Sequence, residues 1–289
     1  MIFYDLFIGI TSNLMWNKIQ KSIEPKETIS IRENTYSVSQ EKTFKPSEKP
    51  NYNSEIAQRL SLSLEHFDTN ERKITISLVC DFLNYKSVSE IEKYFLGKKE
   101  PSLKFLKDYS NFFGIELSWL RHGEGSIFLR RNLFGIFYEG YLESIIDLKP
   151  EKIYFVRNKG KNGDAGIVLM ISNYKYIILS KTCNISSHVG ETGKLKIEAF
   201  FDLIKSLSLE FSSNDLHGLE VDEEIFFDLF YGKIYPGKII KSIQRAIYWW
   251  EDFLDYEHKM PISASYIRLY GIEFIKAQQI IKERKEKNR

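Results

Sequence analysis

Cysteine is nearly absent from this chain: only Cys80 and Cys183 occur, far apart in the sequence. No disulfide framework and no thiolate metal pair follows from that spacing, and both thiols fit a reducing, cytoplasmic setting. Histidine is scarce too. His66, His122, His188, His217 and His258 have no His or Cys partner at three- or four-residue spacing, so no local metal signature exists. Neither sign of charge dominates. Against 41 Lys and Arg stand 39 Asp and Glu, and the net +2 is too small to imply nucleic-acid binding by itself. Long hydrophobic runs are missing. The apolar, aromatic stretch over residues 1–20 is short and is interrupted by Asp5, Asn13, Asn17 and Lys18, which argues against a membrane span. A secretory signal is not expected either, because no basic residue precedes that run and no small-residue cleavage site follows it. Gly190 and Gly193 lack the Lys-Ser/Thr that completes a phosphate-binding loop. These absences leave no cofactor, metal or catalytic residue to assign, and the expectation is a protein that is not an enzyme.

Aromatic residues, by contrast, are plentiful: 17 Tyr and 21 Phe in 289 residues are enough to fill more than one core. Four segments can be distinguished. In residues 1–20, Phe3, Phe7, Ile10 and Leu14 recur at helical spacing and predict a short amphipathic helix. Residues 21–53 hold Pro25, Pro46 and Pro50 among Lys, Glu and Ser, and read as an extended linker. Residues 54–130 are helical in pattern, and 131–289 mix strand and helix patterns.

The third of these segments, residues 54–130, is the most informative. Ile56, Leu60, Leu64 and Phe67 make one amphipathic helix, and Leu78, Val79, Phe82 and Leu83 a second. Residues 84–87 break the period as a turn. Ser87 or Ser89 then caps a third helix with Ile91, Tyr94 and Phe95 inward, and Gly97 ends it. Ser102 caps a fourth, whose inner face is Leu103, Leu106, Tyr109 and Phe113, before Gly114. Leu117, Trp119 and Leu120 close the set.

IEKYFLGKKEPSLKFL followed by FFGIELSWLRHGEG resembles the later helices of the lambda-repressor/Cro (XRE) type helix-turn-helix family. The likeness rests on Gly97, Lys98, Pro101 and Ser102 and on the LSWLRHGEG close, and covers about residues 55–128. It implies that the helix over 87–96 lies in the major groove of double-stranded DNA. Carried over residue by residue, Ser87, Val88, Ser89, Glu92 and Lys93 face DNA, Lys86, Lys98 and Lys99 lie near phosphates, and Ser102 borders them. The chain departs from the family pattern in three places. One extra residue stands between Leu83 and Ile91, Ile76 and Ser77 replace a first-turn glutamine, and Glu90 and Glu92 bring carboxylates onto the reading helix. Use of the same motif for protein contact therefore stays open beside DNA contact.

Beyond residue 150 the period becomes two. KIYFVRN, AGIVLMIS and KYIILS read as strands, with Asn162-Gly163-Asp164 as a hairpin signal, and LKIEAF (195–200) as a fourth strand of an antiparallel meander. A helix follows over 222–230, then two long ones. Ile239, Ile243, Ile247, Trp250 and Leu254 share a face of the first, and Ile267, Tyr270, Phe274, Ala277 and Ile281 form a seam on the second.

The expected architecture is thus α+β, an all-α helix-turn-helix domain followed by an antiparallel-sheet domain with long C-terminal helices. The expected function is a sequence-specific transcriptional regulator, repressor-like, of a mobile element or defence locus. A homodimer is expected because one small reading helix gives little specific contact, and a ligand or protein partner is left open for residues 131–289. The other reading is a non-catalytic partner-binding or effector subunit of a toxin–antitoxin or phage-defence system. Self-cleavage of the phage-repressor kind would need Ala165-Gly166 as the scissile pair and Ser206 or Ser208 with Lys241. Those residues sit in strand and helix patterns unlike that chemistry. A loop position leaves His188 as either a ligand contact or plain surface.

Overall fold

Three strands with almost no exposed residue form the centre of the molecule: β2 (Lys152–Asn158), β3 (Asp164–Met170) and β4 (Tyr176–Leu179). The computed structural model describes residues 54–67, 73–133, 138–160, 163–242, 247–258 and 262–287. The helix expected over 1–20 and the linker over 21–53 lie outside them. Preceding β2 are α1 (Glu55–Phe67), α2 (Ile76–Phe82), α3 (Val88–Phe95), α4 (Leu103–Phe113), α5 (Leu117–His122), β1 (Arg130–Arg131) and α6 (Tyr141–Leu148). After β4 come β5 (Cys183–Asn184), α7 (Glu191–Glu210), β6 (Leu216–Val221), α8 (Glu223–Phe230) and α9 (Pro236–Ser242). The described chain closes with α10 (Trp249–Leu254), α11 (Ala264–Tyr270) and α12 (Ile272–Lys287).

The sheet runs β1-β4-β3-β2-β6, with β5 added to β3. The β2-β3-β4 meander is antiparallel, as the short turns between the apolar runs suggested. The sheet as a whole is not: β6 lies parallel to β2, and β1 parallel to β4. Strands covered on both faces lose the apolar/polar alternation of a half-exposed sheet. Ile153, Phe155, Ala165, Ile167, Leu169, Ile177 and Leu179 point to one layer, packed on α6, α7, α10 and α12. Tyr154, Val156, Val168, Tyr176, Ile178, Leu219 and Val221 point to the other, packed on the α1–α5 set and α8. The molecule is therefore mixed α+β with helices on both sides of a mixed six-stranded sheet.

Four sequence expectations are corrected. LKIEAF is not a strand but the first part of α7. Ile197, Phe200, Phe201, Ile204 and Leu207 are all buried at helical spacing, while Leu195 is exposed. A window ending at Phe200 cannot tell the two periods apart. Strand β6 was not expected, because LHGLEV carries His, Gly and Glu. Gly218 is needed there, since a Cβ would lie 1.9 Å from the Ile247 carbonyl oxygen. The helix expected through Ile239, Ile247 and Leu254 is two, α9 and α10. Between them the Ile247 N–H donates to the Gly218 carbonyl, so that backbone serves the sheet edge; Ile243 lies outside the described residues. The C-terminal seam is also broken, at Gly271, whose φ of +81° no helix contains. Tyr270, Phe274, Ala277 and Ile281 are buried against the rest of the chain, while Ile267 is 40% exposed.

Residues 50–289 cluster as one unit. The expected division at 130/131 falls within β1, and the α1–α5 set shares its core with the sheet. Phe112 and Phe82 lie against Tyr174, and Phe67 against Tyr235. Gly114 ends α4 with φ +63°, and a Cβ there would meet the Tyr176 carbonyl oxygen at 3.0 Å. Among the described residues no helix is long and apolar enough to cross a membrane.

Candidate functional site

The candidate surface is built on α2, the turn after it, and α3. Thr75 starts α2 by accepting the Leu78 N–H on its hydroxyl (3.3 Å). After Leu83 the chain reverses through Asn84 at φ +54°, a left-handed position that asparagine tolerates better than most residues. The turn is fixed from inside. Tyr85 N–H donates to the Cys80 carbonyl (2.9 Å), and the Cys80 thiol donates to the Tyr85 carbonyl (3.0 Å). The Tyr85 hydroxyl donates to Asp108 on α4 (3.0 Å), and burial together with that carboxylate pushes its pKa up to about 12.

Ser87 is the N-cap of α3, taking the Glu90 N–H at 3.3 Å, and it also touches the Ser89 hydroxyl at 3.1 Å. Ile91, Tyr94 and Phe95 are buried, with Tyr94 against Phe105 and Phe95 against Tyr109 on α4. The opposite side of α3 is solvent: Val88, Ser89, Glu92 and Lys93 are all exposed. Lys98 and Lys99 both donate their backbone N–H to the Lys93 carbonyl, which wraps the Lys98-Lys99 pair against the end of the helix. Lys86 is exposed just before the helix starts. Ser102 is exposed but engaged, capping α4 through the Phe105 N–H (3.2 Å). Every sequence-expected site residue therefore lies on or beside one short helix, and none fills the core.

The charge on this face is mixed. The Lys99 ammonium donates to the Glu90 carboxylate, which holds the Glu90 pKa below and the Lys99 pKa above their ordinary values. Apolar groups that the sequence reading did not place here also reach solvent: Leu96 at the end of α3 and Leu103 at the start of α4, 47% exposed. Leu103 had been expected inside; position N1 of α4 turns it outward, and Phe105 and Leu106 take the inner face instead.

Elsewhere, Ala165-Gly166 is an interior peptide of β3 with Ala165 fully buried, while Ser206 and Ser208 lie on α7 and Lys241 on α9. That arrangement offers no accessible scissile bond. Among the described residues no group of His, Cys, Asp and Glu could hold a metal ion. His188 is exposed beside Glu273, with its Nε2 at 3.5 Å from the carboxylate. No family model, no curated protein and no solved structure matches the chain.

Proposed function

We propose that the chain is a sequence-specific DNA-binding regulator that uses α2, the turn and α3 as a helix-turn-helix, with α3 in the major groove. The supporting observation is the division of α3. Its apolar residues Ile91, Tyr94 and Phe95 are consumed by packing on the neighbouring helices, while Val88, Ser89, Glu92 and Lys93 are left to solvent. Such a helix is held through its inner side and presents its outer side to solvent. Glu92 has the chemistry to accept from cytosine N4, and Val88 to meet a thymine methyl. Lys86, Lys98 and Lys99 supply the phosphate contacts that set position without reading sequence. Two-fold assembly doubles the contact, since a single small module gives limited specific affinity.

A second reading is a partner-binding subunit that presents the same surface to protein. It is favoured by exposed Val88, Leu96 and Leu103 and by the neutralisation of Lys99 through Glu90. The two readings separate by salt. With DNA, Lys98→Ala combined with Lys99→Ala weakens binding to all sequences alike and lowers the salt slope by about one to two counterions, the second depending on whether DNA displaces Glu90 from Lys99. Glu90→Gln releases Lys99 and strengthens nonspecific binding. Unchanged affinity and slope in a folded double variant would overturn the docking mode.

A further inference from the structure

The carboxyl ends of the parallel strands β2 and β6 open on a cleft of about 730 Å³, walled on the other side by α11 and the start of α12. That size falls within the ~300–1,000 Å³ typical of small-molecule sites, and the carboxyl edge of parallel strands is where α/β sheets place ligands.

Arg157 forms the deep wall. Its side chain is 6% exposed, yet its Nε has no partner among the described residues. Nη1 donates to Glu220 (2.8 Å), Nη2 donates to the Tyr270 carbonyl (2.6 Å), and the guanidinium lies 4.6 Å from the Phe274 ring centre. The α12 helix begins on the same wall. Its 16 residues align their dipoles behind first-turn N–H groups that lack intrahelical acceptors, a setting that favours an anion. Gly271, at the entry to that turn, has no atom of the described residues within 4 Å of where a Cβ would stand, so the approach is open among them.

The charges on the lining are not balanced in what remains available. Glu220 is engaged by Arg157. Glu273 accepts from Lys276 (2.8 Å) and from the Ser187 N–H (3.0 Å). Among the described residues Arg268, by contrast, is exposed and forms no ion pair, and Lys159 has only Asp222 at 3.9 Å. The remaining wall includes His188, 3.5 Å from the Glu273 carboxylate, and the apolar Leu269 and Ile272, 58% and 50% exposed.

We propose that this cleft binds a small organic anion, a carboxylate or phosphate carried on an apolar body. Its head sits among Arg157, Arg268, Lys159 and the first amides of α12, and its body rests on Leu269 and Ile272. The site is independent of the DNA-binding reading, because none of its residues belongs to α1–α5.

Calorimetric titration of the full chain with octanoate, octyl phosphate, inorganic phosphate and octanol, each to about 1 mM, tests this. Saturable binding of one octanoate or octyl phosphate per chain is expected, with octanol and inorganic phosphate roughly tenfold or more weaker. The order of the two amphiphiles identifies the head group. Lys159→Ala combined with Arg268→Ala should lower affinity roughly tenfold, and Ile272→Glu should abolish binding. All three positions are exposed, so the unliganded thermal midpoint should hold in both variants. Absence of binding by both amphiphiles, octanol binding as tightly as octanoate, or amphiphile binding that survives both variants would each overturn the proposal.

Discussion

Replacing Glu220 by Gln removes one charge from the most deeply buried ion pair described. Glu220 and Arg157 face each other in register across the parallel strands β6 and β2, with Nη1 and Oε1 2.8 Å apart and side chains 7% and 6% exposed. Glutamine keeps the shape and one acceptor but leaves the guanidinium without a countercharge. Two unit charges about 4 Å apart at an effective dielectric near 20 interact by about 4 kcal/mol. Removing one partner of a buried pair costs about 3–5 kcal/mol. Taking about 3 kcal/mol, and a urea dependence of about 3 kcal/mol per molar, the unfolding midpoint should fall by about 1 M. Arg157→Met combined with Glu220→Leu removes both charges, and should recover to within about 1 kcal/mol of the parent. Equilibrium urea unfolding followed by tryptophan fluorescence reads all three proteins, because Trp249 and Trp250 lie in the core layer on the same side of the sheet. A loss below about 0.3 M for Glu220→Gln would show that water or a relaxed Arg157 already solvates the site, and the burial argument would fail.

Gly114→Ala forces a left-handed residue and a methyl 3.0 Å from the Tyr176 carbonyl oxygen. It should cost about 2 kcal/mol in thermal or urea unfolding, and no measurable loss would show that the α4–sheet junction yields. Glu273 gives an acid-side dependence. Lys276 first and Ser187 next hold its carboxyl down to about 2 from an ordinary 4.5. A folded pKa below the unfolded one means that stability is present above 4.5 and is lost as pH falls toward 2. Glu273→Gln should remove about 1 kcal/mol of that dependence after solvent screening, read from midpoints on either side of the window, and equal acid losses in parent and variant would contradict it. Phe274→Asp places a carboxylate at a fully buried position and should abolish cooperative unfolding, at several kcal/mol, whereas Ile267→Asp, 40% exposed, should leave the midpoint unchanged. Equal damage from both, by the same urea assay, would mean that the seam is covered by a second subunit along its whole length.

Much of the α1–α5 region was legible because each boundary carries its own chemical mark. Ser87 and Ser102 accept the N–H groups their positions implied, and Gly97 and Gly114 take positive φ where the periodic residues stop. Three meander strands were legible from their apolar runs. What the sequence concealed depends on tertiary contact. Gly218 marks a strand only because the Ile247 backbone approaches it, and Ile247 leaves a helical pattern only to make that contact. Residues 195–200 satisfy two periods at once, and the longer run to Glu210 decides for helix. The outward residues of α3 were readable as what remains once Ile91, Tyr94 and Phe95 are placed inside. The cleft was not readable, because Arg157, Lys159, Arg268 and the first turn of α12 come from separate segments with no shared spacing.

Sequencing the DNA fragments that co-purify with the chain at moderate salt decides whether α3 reads duplex DNA. Enrichment of a two-fold related sequence with half-sites roughly one helical turn apart is expected. A changed preferred sequence is expected in Glu92→Gln, and a uniform loss of recovered DNA in the Lys98→Ala, Lys99→Ala variant. Recovery of no enriched sequence from a folded protein, with the same background in both variants, would contradict DNA reading by α3 and leave that surface to a protein partner.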